Sequence, residues 1–311
     1  MKGHGIPLVG LLTLAAACTG EDVAGEGNLR LAATGGVVMR EGYPYGEEGL
    51  GRLEFADGWR LTFDRYIIVI GEVRLHEQLP DAQADDGPLV DRWTGPVVLD
   101  LMRPPSGVEF LTLEDLPALR HDFGFDIIEA TGAAENVSAS QEDYRTMVDE
   151  GWTFWASGTA SKTVAGASET VEFSVGFSAP TRFRRCVNGV DSTRGVAIEA
   201  NSTVGASIYP HSPHLFWDVL AAGDAQLRFD PWAAVAGEDG VVTAEELATQ
   251  DLLDLRAADG SPLIDPATQR QVRYDTASVF LRDTDLLSYT IYGFRQGVHF
   301  NGLGFCPWAP L

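Results

Sequence analysis

WRLTFDRYIIVIGEVRL, residues 59–75, alternates apolar and polar side chains with the period of a β-strand. Seven of its apolar residues share one parity and are Trp59, Leu61, Phe63, Ile67, Val69, Val73 and Leu75. The other parity is mostly charged or polar, and aromatic and β-branched residues are frequent throughout. This pattern predicts a long, half-buried strand, which we expect to break near Gly71.

Short segments of similar composition lie on both sides of this strand. The further strand candidates are 30–39, 96–102, 108–113, 123–131, 152–160, 170–178, 181–187 and 195–208. Gly, Pro and Asp separate them, and no long helical pattern lies between them. The sequence therefore predicts a mainly β protein, an antiparallel β-sandwich of the immunoglobulin or transthyretin type.

The last third of the chain carries helical signals. We expect helices at 214–223, 243–258 and 276–294, the second beginning with a capping box formed by Thr243 and Glu246. No Pro- or Ser-rich linker separates this part from the strands. The prediction is one domain, 29–311, with a helical C-terminal portion at about 214–295 packed on the sandwich.

The N-terminus reads as an export signal. Lys2 precedes a short apolar run, and the small residues that follow lead to Cys18. The run 14–18, LAAAC, is typical of a bacterial lipobox, so we expect removal of residues 1–17 and lipidation of Cys18. Residues 18–28 then form a flexible tether. Ordinary cleavage after Ala17 is the alternative. Thr19 next to the cysteine favours the outer membrane, with the domain in the periplasm or on the cell surface.

Net charge and cysteine count restrict the partners and the compartment. The chain has a net charge of −23, and removal of residues 1–17 takes away only Lys2, giving −24. Such a surface repels nucleic acid and anionic headgroups, so contact with a membrane is expected through the lipid anchor alone. If Cys18 is lipidated, Cys186 and Cys306 remain. One disulfide is the simplest expectation, and two buried free thiols are the alternative.

Four stretches suggest metal ligands. In 292–306 His299 lies among glycines just before Cys306, where close backbone packing is the alternative, and in 43–50 Glu47 and Glu48 could be ligands or solvated acids.

In YPHSPHLFWD, residues 209–218, His211 and His214 stand three apart on a proline-flanked turn, with Asp218 four residues further on. Neutral imidazoles are frequent ligands of Zn and Cu, and Asp218 could bind the metal or orient an imidazole. An exposed turn with two histidines is the alternative, because the H-x-x-H spacing alone has low specificity.

EDGVVTAEEL, residues 238–247, is similar to the second half of an EF-hand loop. Asp239, Thr243 and Glu246 would be its Ca²⁺ ligands. The first half lacks the required carboxylates. A turn leading into a capped helix is therefore the favoured interpretation of this stretch.

Five motifs occur in an order that resembles one protein family. They are YGEE (45–48), DGWRLTFDRY (57–66), HSPHLFWD (211–218), EDGVVTAEEL (238–247) and GVHFNGLGFC (297–306). Together they resemble an uncharacterised family of exported bacterial proteins, often lipoproteins, from myxobacteria and their relatives. The family looks like a group of histidine-rich metal binders.

This resemblance implies a ligand set. The residues that match the family's motifs are Glu47, His211, His214 and His299. Three positions depart from the family pattern and are Pro213, where the family has an acid, and Leu303 and Phe305, where it has Glu and His. These losses would weaken metal binding, and a degenerate site is the alternative.

Three functions follow as hypotheses. The leading one is a lipid-anchored protein that binds Zn or Cu and is not an enzyme. The second is a surface module that recognises a protein or a glycan and keeps only a degenerate metal site. The third, a metallohydrolase, would need a base such as Asp218 or Glu47 beside an open metal position.

Overall fold

The computed structural model of the chain describes residues 25–47, 52–80, 86–104, 106–220, 225–265, 268–277, 279, 281 and 283–311. Within these ranges the protein is mainly β. The strands are β1 Glu26–Ala33, β2 Arg60–Glu77, β3 Leu89–Trp93, β4 Val97–Asp100, β5 Val108–Pro117, β6 Arg120–Ile127, β7 Glu135–Asn136, β8 Phe154–Val164, β9 Ala167–Phe177, β10 Thr181–Phe183, β11 Val196–Ala197, β12 Thr203–Pro210, β13 Val241–Val242, β14 Val298–Phe300 and β15 Trp308–Pro310. The helices are α1 Gly36–Glu41, α2 Gln141–Glu150, α3 Asp230–Ala233, α4 Ala244–Leu247 and α5 Leu286–Gln296, with a 3₁₀ helix at Ser212–Leu215.

The long strand predicted from residues 59–75 is confirmed as β2, and it lies at the centre of the larger sheet. One of its edges pairs with β8 and then β6, and the other pairs with β4 and then β3. The expected break is a register shift between Ile70 and Glu72. A Cβ at Gly71 would lie 2.4 Å from Ile128, so the bulge needs glycine and the strand continues through it.

The sheets are mixed, which corrects part of the antiparallel prediction. The smaller sheet has the order β14-β12-β1-β5, and its central pair, β1 and β12, is parallel. The larger sheet runs β13-β9-β8-β2-β6-β10-β15 with β3, β4, β7 and β11 beside it. Its pairs β4–β7 and β13–β9 are also parallel. Alternation along one segment predicts a strand, but it contains no information about which distant strand becomes the neighbour.

One hydrophobic core joins both sheets to the C-terminal third. It contains Leu29 and Leu31 of β1 as well as Ile68 and Ile70 of β2. Aromatic side chains extend it towards the 3₁₀ helix. Phe216 packs 5.3 Å from Phe55 and 4.9 Å from Trp232, measured between ring centroids. This packing fixes the segment that follows His214.

The predicted helical portion at 214–295 is mostly irregular chain. The helix expected over 243–258 is only the four residues of α4, and the one expected over 276–294 begins at Leu286. The helix expected over 214–223 is a 3₁₀ turn that ends at Leu215. The leucines after α4 do not follow helical intervals: Leu252 is buried, whereas Leu253 is 75% exposed.

Two helices outside the C-terminal third, α1 and α2, were not predicted, and neither was α3 within it. The strand expected over 30–39 ends at Ala33, and α1 follows it. Helix α2 begins at an N-cap, Ser140, whose hydroxyl accepts a hydrogen bond from the Asp143 backbone N–H. The Ser-x-x-Asp spacing is a helix-start signal in the sequence, but the segment is too polar to show a clear apolar stripe.

The N-terminal predictions lie largely outside the described residues. The signal peptide, residues 1–17, and Cys18 belong to this part of the chain. The tether predicted for 18–28 is shorter at its end, because β1 begins at Glu26. Among the described residues, no helix is both long enough and apolar enough to cross a membrane.

The predicted disulfide is confirmed. Cys186 and Cys306 are joined with their Cα atoms 4.1 Å apart, and both residues are buried. The alternative of two free thiols is therefore wrong. The bond closes a loop with a sequence separation of 120 residues. In the chain-entropy model a loop of this length stabilises the fold by about 5 kcal/mol.

Five charged side chains form a ladder across four neighbouring strands. Arg74 of β2 donates to Asp126 of β6 at 2.6 and 3.0 Å and to Glu72 at 2.5 Å. Arg182 of β10 also donates to Asp126, at 3.0 and 3.2 Å, and Arg92 of β3 donates to Glu72 at 2.6 Å. Burial alone would raise the pKa of Asp126, but the two guanidiniums outweigh it and hold that pKa below its usual value. We call this group the arginine–carboxylate ladder.

Candidate metal centre

Strand pairing brings three histidines from two remote segments together. Antiparallel pairing of β12 with β14 places Tyr209 opposite His299. His211 follows Tyr209 by two residues and therefore points to the same side of the strand. The 3₁₀ helix then turns the chain back, and His214 N–H donates to the carbonyl of His211 at 3.2 Å. This turn brings His214 to the other two imidazoles.

Helix α5 packs closely on this turn because two glycines face it. A Cβ at Gly293 would lie 2.3 Å from the His214 carbonyl oxygen, and one at Gly297 would lie 2.8 Å from the His214 Cβ. The Gly297 carbonyl also accepts a hydrogen bond of 2.8 Å from the His211 N–H. Sequence reasoning missed these two residues. Their signal was a glycine pair four residues apart just before His299.

The three imidazoles surround one point. One ring nitrogen from each of His211, His214 and His299 lies within 4.8 Å of the other two. The ring centroids of His211 are 5.2 Å from His214 and 5.9 Å from His299, and the third separation is 5.4 Å. We call these three residues the histidine cluster. The cluster is the one that the family resemblance implied, without its glutamate.

Four of the six ring nitrogens of the histidine cluster are buried without a hydrogen-bond partner. Nδ1 of His211, Nδ1 of His214 and both ring nitrogens of His299 are buried without one. His76 and His121 also each have one buried ring nitrogen without a partner, but their other ring nitrogen lies 2.8 Å from a backbone carbonyl oxygen. A buried polar atom left unpaired costs about 1–3 kcal/mol. Four such atoms at one place therefore need an explanation other than packing.

Burial keeps the histidine cluster neutral. Burial first, and then repulsion from the neighbouring imidazoles, lowers the pKa of His211 to about 4 and that of His214 to about 2. Burial also lowers the pKa of His299, against a smaller opposing effect of the Gly304 backbone. At neutral pH all three rings therefore keep a free lone pair. A metal requires this state of an imidazole ligand.

Two further side chains hold the turn of the histidine cluster. The indole of Trp217 stacks on the His214 ring with centroids 3.7 Å apart and planes tilted by 34°. The Tyr43 hydroxyl lies 3.0 Å from the Ser212 hydroxyl inside the core. Both contacts restrict the rotation of the 3₁₀ helix. Sequence reasoning assigned no role to these residues, although Trp217 follows His214 within the same quoted motif.

The carboxylates expected beside the imidazoles are elsewhere. Glu47 is exposed and does not belong to the histidine cluster. Asp218 is buried, but Oδ1 accepts from the Gln226 backbone N–H at 2.8 Å and Oδ2 accepts from Arg228 Nε at 2.7 Å. Neither carboxylate contributes a ligand atom to the cluster, and Asp218 orients an arginine instead of an imidazole.

The polar side chains of the Ca²⁺-like loop are hydrogen-bonded to nearby backbone groups. Asp239 Oδ1 accepts a hydrogen bond from the Val241 N–H at 3.1 Å. Thr243 and Glu246 form a reciprocal capping box at the start of α4, with Glu246 Oε2 accepting from the Thr243 N–H at 2.9 Å. The favoured interpretation, a turn followed by a capped helix, describes this segment. Its polar side chains serve the backbone.

The spacing of the histidine cluster suits a metal with three-fold nitrogen coordination. A metal–nitrogen bond of about 2.1 Å plus about 1.1 Å from nitrogen to ring centre places each ring centroid about 3.2 Å from the ion. Three such rings would be separated by about 5.2 Å in a tetrahedral site and about 5.5 Å in a trigonal plane. The observed separations of 5.2, 5.4 and 5.9 Å lie close to both values.

Comparison of the chain with known proteins finds no matching family model, no matching curated protein and no matching solved structure. The five-motif family resemblance thus remains an expectation. The geometry of the histidine cluster is the basis on which function is inferred.

Proposed function

We propose that this is an exported protein that binds a transition metal, Zn or Cu, through His211, His214 and His299 and performs no catalysis. One observation carries this proposal: three largely buried imidazoles, among which four ring nitrogens have no hydrogen-bond partner, each bring one nitrogen within 4.8 Å of the others. Three neutral nitrogen donors at this spacing form a chelating site, and a bound ion would supply the missing partner of each ring.

The donor set and its surroundings favour binding over hydrolysis. A hydrolytic metal site needs a base next to the metal-bound water. The two carboxylates considered for that role, Glu47 and Asp218, are respectively exposed outside the cluster and paired with Arg228. A storage, buffering or delivery role for the metal fits the chain better than a reaction.

The cell envelope is the compartment we propose. The Cys186–Cys306 disulfide supports it, because stable disulfides form mainly in oxidising compartments. The lipobox-like segment at residues 14–18 adds a lipid anchor on Cys18 and an outer-membrane location to this proposal. We also propose the finer architecture, a sandwich of the immunoglobulin or transthyretin type, and membership of the family with the five motifs.

Elemental analysis of the purified protein tests the metal proposal. After incubation with Zn²⁺ or copper and removal of free ions, we expect about one equivalent of metal per chain. His299→Ala should lose it, since two imidazoles hold an ion far more weakly than three. His76→Ala is the matched control and should retain full uptake, because His76 lies outside the cluster. A recognition module with a degenerate site would bind metal in neither protein, and that outcome would refute the proposal.

A further inference from the structure

The ligand atoms and the geometry of the histidine cluster favour some metal ions over others. The inference drawn from them rests on the proposed function. Its ligand atoms are three neutral nitrogens. Among the described residues, no carboxylate or thiolate belongs to the group. The site therefore offers three donors and no negative charge. Both properties discriminate between metal ions.

Coordination number is the first discriminator. Zn²⁺ in proteins is almost always four-coordinate, so three imidazoles leave it dependent on an exogenous ligand. Cu²⁺ prefers a tetragonal arrangement. Three imidazoles in such a site form one trans pair and two cis pairs. Their ring centroids would be about 6.4 Å apart in the trans pair and about 4.5 Å apart in each cis pair. The three observed separations, 5.2, 5.4 and 5.9 Å, are nearly equal. This three-fold arrangement matches an ion that is satisfied by three ligands.

Charge is the second discriminator. A divalent ion bound by three neutral imidazoles keeps two positive charges in a largely buried site, whereas a monovalent ion keeps one. The cost of burying an ion without a counter-charge rises steeply with its charge. The nearby carboxylate of Asp218 is paired with Arg228 and offers no compensation. The site therefore penalises Zn²⁺ and Cu²⁺ more than a monovalent ion.

The stacked indole is the third discriminator. An ion in the plane of the His214 ring, about 3.2 Å from its centre, would lie about 5 Å from the centre of the Trp217 ring. The estimate follows from the 3.7 Å stacking distance of the two rings. A cation within about 6 Å of an aromatic face is attracted to it. A soft, weakly hydrated cation gains more from this contact than one that binds water strongly.

We infer that the histidine cluster is a three-coordinate Cu⁺ site in which the indole of Trp217 contacts the ion. His211, His214 and His299 supply the three nitrogens. Trp217 holds His214 in place and shields the open side of the ion from water. Among the ions considered, Cu⁺ alone combines a single charge, low coordination number and a preference for soft contacts.

Anaerobic titration with Cu⁺ tests this inference, with the ion supplied as its acetonitrile complex and no thiol present, so that the disulfide stays intact. Competition against a chromogenic Cu⁺ chelator gives the affinity, and a parallel titration with Zn²⁺ gives the comparison. We expect Cu⁺ to bind at least a hundredfold more tightly than Zn²⁺ and to quench tryptophan fluorescence.

Two variants isolate the contribution of the indole. Trp217→Leu should weaken Cu⁺ binding about tenfold and abolish the quenching that Cu⁺ causes at this residue, with a smaller loss of Zn²⁺ affinity that reports the positioning of His214 alone. Trp217→Phe keeps an aromatic face and should retain most of the Cu⁺ affinity. If Trp217→Leu fails to fold, the phenylalanine variant together with the wild-type quenching still decides.

The outcomes separate this inference from the proposed function. Zn²⁺ binding as tight as Cu⁺, or Cu⁺ binding without a fluorescence change, would overturn the Cu⁺ assignment and leave metal binding intact. If neither ion binds, the Cu⁺ assignment and the proposed metal binding are both overturned.

Discussion

The histidine cluster and the arginine–carboxylate ladder are both groups of polar side chains withdrawn from water, and their hydrogen bonding is opposite. In the ladder, Asp126 accepts four hydrogen bonds from Arg74 and Arg182. In the cluster, four ring nitrogens have none. The charged groups of the ladder have their hydrogen-bond partners without a ligand, whereas the imidazoles of the cluster gain partners only when a ligand binds. The difference teaches that partner satisfaction, more than burial, distinguishes a structural polar group from a binding site.

Breaking the ladder should have the largest effect. Arg74→Ala removes the central cation and leaves Asp126 with Arg182 alone and Glu72 with Arg92 alone. We expect the free energy of unfolding to fall by about 3 kcal/mol, the lower end for a broken buried pair. Urea denaturation measures it. Arg92→Ala is the control, since Arg92 lies at the exposed end of the ladder and should cost less than about 1 kcal/mol. Equal effects of both variants would show that the ladder is not a buried network.

Filling the cluster should make it resemble the ladder. At a free Cu⁺ concentration of about 100 times the dissociation constant, binding to the folded state alone should raise the free energy of unfolding by about 2.7 kcal/mol. The same anaerobic denaturation experiment on His214→Ala should show no increase. A gain of the same size in this variant would place the metal elsewhere on the chain.

Asp57 is only partly hydrogen-bonded, between the fully paired ladder and the unpaired cluster. Its environment predicts that the free energy of unfolding depends on pH. Its Oδ2 accepts the backbone N–H groups of Phe229 and Asp230, both at 2.7 Å, while Oδ1 is buried without a partner. Burial and then the neighbouring Asp230 raise its pKa from 3.8 to about 6. The folded state therefore holds this proton more tightly than the unfolded chain does.

The stabilisation from Asp57 should be complete below about pH 4 and should be lost as the pH rises through 6. Its size is about 2 kcal/mol, allowing for partial solvent contact. Asp57→Asn keeps the acceptor oxygen and cannot ionise. The difference in unfolding free energy between wild type and this variant should therefore change between pH 4 and pH 7. A difference that stays constant over this range would contradict the raised pKa.

An apolar replacement within the empty cluster should have the smallest effect. Leucine is close to histidine in volume and has no nitrogen to leave unpaired. We expect His299→Leu to change the metal-free unfolding free energy by less than about 1 kcal/mol, or to increase it. Denaturation in the presence of a chelator measures this. A loss of more than about 2 kcal/mol would mean that the imidazole is structural.

The sequence predicted those features that depend on local patterns. The alternation at 59–75 located β2, and the spacing Thr243-x-x-Glu246 located the start of α4. The cysteine count predicted the disulfide. The extent of the C-terminal helices was not predictable in the same way, because isolated leucines at irregular intervals are buried by tertiary contacts and not by a helix face.

The composition of the site was only partly accessible from sequence. The spacing of His211 and His214 suggested a pair, and His299 was a separate candidate among glycines before Cys306; only the resemblance grouped it with them. Strand pairing between β12 and β14, which no periodicity reports, brings it there. The same lack of long-range information led to the inclusion of Glu47 and Asp218, and it hid the roles of Gly297 and Trp217.

The disulfide has a consequence for the order in which the protein matures. His211, His214 and His299 all lie inside the segment bounded by Cys186 and Cys306. In the exported protein proposed above, the disulfide would form in an oxidising compartment. Oxidation then confines all three donors to one closed ring of polypeptide, which raises their local concentration before the sheets have assembled. Thiol oxidation would thus precede and promote metal loading, and an oxidant-starved cell would release the protein empty.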